Sequence, residues 1–126
     1  MSLKSKAAII FAKFVHKQTK KWAKNPVESQ KSVFESLIKN ASETVFGKDH
    51  YFSEIKSHAD FIQKVPVRDY EDLKPYVDQV VAGKENILWP GKPLYFAKTS
   101  GTTSGAKYIP LTKESMPFHV KAARTA

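Results

Sequence analysis

The chain has 126 residues, 41% apolar and 26% charged, enough for one domain with a modest core. It has no cysteine and no run of 18 apolar residues, which excludes a disulfide scaffold, a thiolate nucleophile, a Cys-based zinc site and a membrane-spanning helix. Twenty-one basic against 12 acidic residues give a net charge of +9, but seven of the lysines fall within residues 1–24, which hold no acid.

The remaining residues carry 14 basic and 12 acidic groups, so the basic excess belongs to one segment and is no nucleic-acid footprint over a whole domain. No apolar signal segment opens the chain, and the expected location is the cytoplasm. Leu3, Ala7, Ile10 and Phe14, flanked by Phe11, Val15 and Trp22, predict an amphipathic helix over 3–22. Its lysines lie mainly off the apolar stripe. The expectation is a helix docked on the domain through its aromatic face. The competing reading is a small basic module that binds an acidic membrane or nucleic acid through residues 4–24.

Asn25 is placed to cap a second helix, with Pro26 at its first position, where the missing N–H costs nothing, and Glu28 at its third. Val27, Phe34, Leu37, Ile38 and Ala41 form its apolar side, and Gly47 is the expected stop. A short helix is expected around 52–55 or 59–63. Val65-Pro66-Val67 reads as extended, because proline pushes the residue before it out of the α region. Asp69 then caps a helix with Asp72 at its third position. Tyr70, Leu73, Tyr76, Val77, Val80 and Val81 supply the apolar side, Pro75 is expected to split the helix, and Gly83 to end it.

Pro93 precedes a β-prone run, Leu94–Ala97, and Tyr108–Leu111 is a second. Between them stands Thr99-Ser100-Gly101-Thr102-Thr103-Ser104-Gly105, a strand-loop-strand unit over 94–111 with a connection too long for a two-residue turn. Such a loop suits a polyanion. Glycines let backbone N–H groups turn toward a ligand, hydroxyls add neutral donors, and Lys107 places a positive charge at the exit. The plainer alternative is a polar hairpin loop without a ligand. A Walker A loop is excluded by spacing: only three residues separate Gly101 from Gly105, Ala106 stands before Lys107, and Tyr108 follows it.

The four histidines, His16, His50, His58 and His119, show no i, i+4 pair, so no metal site is assigned. Capping and solvation account for Asp69, Glu71 and Asp72, and no catalytic residue is assigned. A last helix begins at Thr112 or Ser115 and shows no stop signal before Ala126.

The run Thr99–Gly105 with Ala106-Lys107-Tyr108-Ile109-Pro110 resembles the ATP-phosphate loop of the adenylate-forming ligases. More narrowly, it resembles the acyl-acid amido synthetases first known from auxin-responsive plants, the Gretchen Hagen family. Thr44-Val45-Phe46-Gly47-Lys48, the stretch from Val65-Pro66-Val67 to Asp69–Tyr76, and Ile87-Leu88-Trp89-Pro90-Gly91 are similar too and stand in the family's order. The likeness covers roughly residues 27–121.

The resemblance implies a mixed α/β fold, the N-terminal part of a larger adenylation domain spanning 1–126. It also implies a two-step reaction. A carboxylic acid attacks the α-phosphate of ATP, giving an acyl-adenylate and pyrophosphate, and an amino acid amine then displaces AMP. In that scheme Ser100, Thr102, Thr103 and Ser104 bind the phosphates through hydroxyls, Gly101 and Gly105 through the backbone, and Lys107 as a weaker cationic contact. The adenine pocket, the ribose contact, the magnesium-binding carboxylate and a mobile C-terminal domain would lie beyond residue 126. The partners implied are the two small-molecule substrates and the remainder of the ligase, with no nucleic acid and no membrane. The 126 residues alone are then expected to be inert and, with apolar surface uncovered, to self-associate. An acyl-CoA ligase of the phenylacetate type carries a similar loop and is the alternative within the enzymes.

Overall fold

Helices dominate the chain, whose computed structural model describes residues 2–101 and 105–125. In chain order they are α1 (Leu3–Ala23), α2 (Pro26–Ala41), α3 (Val45–Asp49), a 3₁₀ turn (Phe52–Glu54), α4 (His58–Lys64) and α5 (Tyr70–Val81). The strands β1 (Tyr95–Gly101) and β2 (Gly105–Leu111) follow, then α6 (Met116–Thr125). Among the described residues the sheet is one antiparallel pair, so the fold is the mixed α/β arrangement expected.

Helix α1 forms where its periodicity predicts, opened by Ser2, whose side chain accepts the Ser5 N–H. Its aromatic face does not dock on the core. No residue of α1 is buried, and Ile10 and Phe14 remain 70% and 57% exposed. Phe11, Phe14 and Val15 instead line an apolar groove of about 560 Å³ against Met116, Pro117 and Val120 of α6. The core is built by the short elements further along, and they leave this helix at the periphery.

That core gathers Ile38 and Ala41 of α2 with Phe52 and Ile55, and Phe34, Phe46, Phe61, Val65 and Trp89 pack around it. Edge-on ring pairs join the layers: Phe34 with Phe61 at 5.7 Å and Phe46 with Phe52 at 5.8 Å. Such pairs add stabilisation beyond the area they bury. Both candidate short helices between 52 and 63 form. The second is fixed by a capping box in which the Asp60 carboxylate accepts the N–H groups of Lys56 and Ser57. Those bonds hold the Asp60 pKa below the ordinary carboxylate value.

The structure departs from three expectations, at Gly47, Pro75 and Asn25. Gly47 does not stop α2, which ends at Ala41, but lies buried inside α3. Thr44 makes the break. Fully buried, it donates its hydroxyl to the Ala41 carbonyl at 2.7 Å and accepts the Gly47 N–H at 3.0 Å. The Val45 and Phe46 N–H groups donate to the carbonyls of Asn86 and Ile87, so each open donor of the first α3 turn is satisfied. Pro75 does not split α5, which runs unbroken from Tyr70 to Val81. A proline in a helix interior, which removes a hydrogen bond and crowds the preceding turn, costs about 3 kcal/mol. Here burial of Val77 and Val80 and the Asp69 cap hold the helix together, and Gly83, at φ +86°, ends it as expected. Asn25 occupies the cap position of α2, but its side chain makes no cap bond.

Candidate functional site

The hydroxyl-rich segment lies at the end of the β1–β2 hairpin. Pairing runs from Tyr95 opposite Leu111 to Gly101 opposite Gly105, with Thr99 opposite Lys107 and Ser100 opposite Ala106. The connection is therefore shorter than the hydroxyl-rich run of seven, of which Thr99 alone is expected at the strand end. Thr99, Ser100, Gly101 and Gly105 belong to the strands, and Thr102, Thr103 and Ser104 lie outside the described residues. Gly105 re-enters the ladder at φ +79°, a conformation open to glycine and costly for a side chain.

Alternation along the strands divides the candidate residues. Ser100 shares one face with Lys98, Ala106 and Tyr108, whereas Lys107 and Thr99 point to the other. The ring contacts agree with that division. The Lys98 ammonium sits 6.0 Å from the Tyr108 ring centroid, and Phe96 meets Tyr108 edge-on at 6.2 Å. On the other side, the Lys107 ammonium lies 5.3 Å from the centre of the Tyr70 ring. The hairpin thus carries one cation on each face. Lys98 was not singled out from the sequence, although strand alternation from Ser100 would have found it.

Helix α5 anchors the hairpin. Tyr70, its first residue and partly buried, accepts the backbone N–H of Tyr108 at 2.8 Å. Tyr70 is placed in turn by Asp69, whose carboxylate accepts the Asp72 N–H at 3.0 Å. The sequence ranks Tyr70 only as part of an apolar helix side. A tyrosine hydroxyl near a core calls for a polar partner, but nothing local names one 38 residues away.

The other segments of interest brace this arrangement. Buried His50 stacks on Phe46 with ring centres 4.0 Å apart. Its Nδ1 lies 2.8 Å from the Phe46 carbonyl and its Nε2 3.1 Å from Arg68. Those contacts define the tautomer: Nδ1 donates to the carbonyl, and Nε2 accepts from the guanidinium. Tyr76 donates its hydroxyl to Asp49 at 2.8 Å, tying α5 to the end of α3. The loop before β1 closes on itself, with the Asn86 side chain accepting the Gly91 N–H and the Gly91 carbonyl accepting the Asn86 N–H. The segments around Thr44, Arg68 and Ile87 thus form one frame behind the hairpin.

Burial, and then the bond to Asp49, push the Tyr76 pKa above its ordinary value. Because the folded value is the higher one, Tyr76 contributes stability that is fully present below about pH 10 and is lost as pH rises through the folded value. Wild type is expected to lose stability more steeply than Tyr76→Phe across that alkaline range, and denaturant titrations at several pH values measure the difference. Parallel curves for the two proteins would contradict it.

Among the described residues, no three histidine, cysteine or carboxylate side chains gather where a metal ion could be held, and no helix is long and apolar enough to cross a membrane.

Comparison with known proteins supplies the class. Residues 15–125 match the GH3 family N-terminal domain, and the chain belongs to that family. Its relatives include the indole-3-acetic acid-amido synthetase GH3.15 of Arabidopsis thaliana, 31% identical over 94 residues, covering 73% of this chain and 16% of the relative. The indole-3-acetic acid-amido synthetase GH3.2 of the same plant is 29% identical over 106 residues, 82% of this chain and 19% of that protein. The 4-substituted benzoates-glutamate ligase GH3.12, also from Arabidopsis thaliana, is 29% identical over 92 residues, 72% and 16% of the two chains. The chain spans less than a fifth of the length of these curated relatives. These relatives are named as amido synthetases and a glutamate ligase.

Proposed function

We propose that this chain is the N-terminal portion of a cytoplasmic, ATP-dependent acyl-acid amido synthetase, and that the β1–β2 hairpin presents its phosphate-binding loop. The observation that carries the reading is the hairpin itself. Gly101 and Gly105 face each other across the ladder and bracket the hydroxyl-bearing Thr102-Thr103-Ser104 connection, in a chain whose residues 15–125 match the GH3 family N-terminal domain.

In this reading a carboxylate attacks the α-phosphate of ATP and pyrophosphate leaves. An amino acid amine then attacks the acyl-adenylate carbonyl, AMP leaves, and an amide forms. The loop's work is to stabilise charge on the departing pyrophosphate and to position it. Ser100, Thr102, Thr103 and Ser104 donate hydroxyls, while Gly101 and Gly105 leave the backbone open to close approach. Lys107 adds positive charge from the opposite face of the hairpin. An amino acid acceptor is preferred to coenzyme A because the relatives are named as amido synthetases and a glutamate ligase.

Magnesium accompanies ATP in such chemistry, and the described residues offer no carboxylate cluster to hold it. The 126 residues alone are inactive in this reading and associate through apolar surface that the rest of the ligase covers. Leu3, Ile10 and Phe118 are among the exposed side chains, which supports that view.

The test is ATP–pyrophosphate exchange at saturating acid in the complete ligase carrying Ser100→Ala and Thr102→Ala together. Loss of hydrogen bonds to a charged phosphate is expected to slow adenylation roughly 10- to 100-fold. An unaltered rate would remove the phosphate role from both residues.

A further inference from the structure

We infer that Tyr70 is a positioning residue for the phosphate-binding hairpin, acting from the first turn of α5 through two separate contacts with β2. The inference rests on the reading of the hairpin given above and extends it to a residue outside the loop.

The phenol oxygen accepts the Tyr108 N–H at 2.8 Å, holding the β2 backbone three residues beyond Gly105. The ring carries the Lys107 ammonium 5.3 Å from its centre, two residues beyond Gly105. An isolated two-stranded hairpin is only marginally stable in water, so its orientation depends on what it is fastened to. Here the fastening is well defined. Pro66 lies in the extended lead-in, Asp69 caps α5, and Tyr70 is the residue directly after that cap.

The two contacts act on different things. The hydrogen bond sets the height and tilt of the strand that delivers the loop. The ring holds a cation on the hairpin face opposite Ser100 by cation–π attraction, restricting where its charge can be. Both contacts act on the hairpin, so in this scheme the influence of Tyr70 falls on ATP.

Tyr70→Phe keeps the ring and removes the hydrogen bond; Tyr70→Leu removes both. In the complete ligase, Tyr70→Phe is expected to raise the KM for ATP about fivefold in pyrophosphate exchange. Tyr70→Leu should add a further two- to fivefold. The KM for the acid should stay unchanged and kcat within about twofold, a split that general loss of folded enzyme does not produce. In a Lys107→Met background the two Tyr70 variants should become equal, because the ring has lost its cation. Hydrogen exchange at the Tyr108 amide, read without any substrate, should quicken in both variants.

Unchanged Tyr108 exchange would overturn the anchor. Quickened exchange with an unchanged ATP KM would overturn the link to the reaction, leaving Tyr70 a structural residue only. The Ser100→Ala, Thr102→Ala enzyme separates this from failure of the underlying reading. If that enzyme adenylates normally, the phosphate role falls and the ATP part of this inference with it, while Tyr108 exchange still decides the anchor on its own.

Discussion

Gly47→Ala is expected to cost about 3 kcal/mol or more and to abolish the soluble, folded state of this domain. A Cβ at position 47 would stand 2.0 Å from the Ala41 carbonyl oxygen and 3.0 Å from that of Ser42. Both obstacles are backbone, so no side-chain rotation relieves the clash. The Ala41 carbonyl also cannot retreat freely, because it accepts the hydroxyl of fully buried Thr44, which in turn holds the Gly47 N–H. Moving any one of the three breaks the cap of α3 and strips partners from buried polar groups. Soluble yield and the midpoint of thermal unfolding measure the effect. A variant melting within a few degrees of wild type would show that this corner yields more than its geometry implies.

Gly105→Val is expected to lower adenylation by roughly 100-fold, the scale on which small misplacements of catalytic geometry act. The cause is conformational rather than steric. Among the described residues a Cβ at Gly105 would meet no atom within 4 Å, yet the backbone sits at φ +79°. Holding an L-residue in the left-handed region costs roughly 1–2 kcal/mol, and a β-branched residue fits there worst. The hairpin can escape that strain only by moving the Gly101–Gly105 pair, which sets the mouth of the connection. Gly105→Asn should recover most of the activity, because asparagine tolerates this conformation. ATP–pyrophosphate exchange on the two variants is the measurement. Equal rates for valine and asparagine would separate the backbone angle at 105 from the proposed function.

Much of the fold is legible in the sequence because its signals are local. Asp69 three residues before Asp72, Pro26 at a helix start and Gly83 at a helix end each act within one turn of chain. The β-prone runs beside the glycines likewise identify the hairpin. Sequence reasoning fails where the deciding contact crosses the fold. Gly47 resembles a stop signal, but its neighbour is the Ala41 backbone across a turn built by Thr44. Pro75 looks like a break, but burial on the other side of α5 outweighs one missing hydrogen bond.

The candidate site shows the same division. Composition and order identify Ser100, Gly101, Gly105 and Lys107 and bring the family into view. They do not state that Ser100 and Lys107 lie on opposite faces, which follows from a strand register that continues to Gly101 opposite Gly105.

By itself the sequence determined the class of this protein, the place of the hairpin and several helix boundaries, because steric and capping preferences operate between near neighbours. Tertiary structure decided how the loop is carried. The Tyr70–Tyr108 bond, the seat of Lys107 and the packing of Gly47 on Ala41 depend on which distant surfaces meet. Periodicity says which side of an element is apolar; the partner of a single polar atom on that side is settled only when the elements pack.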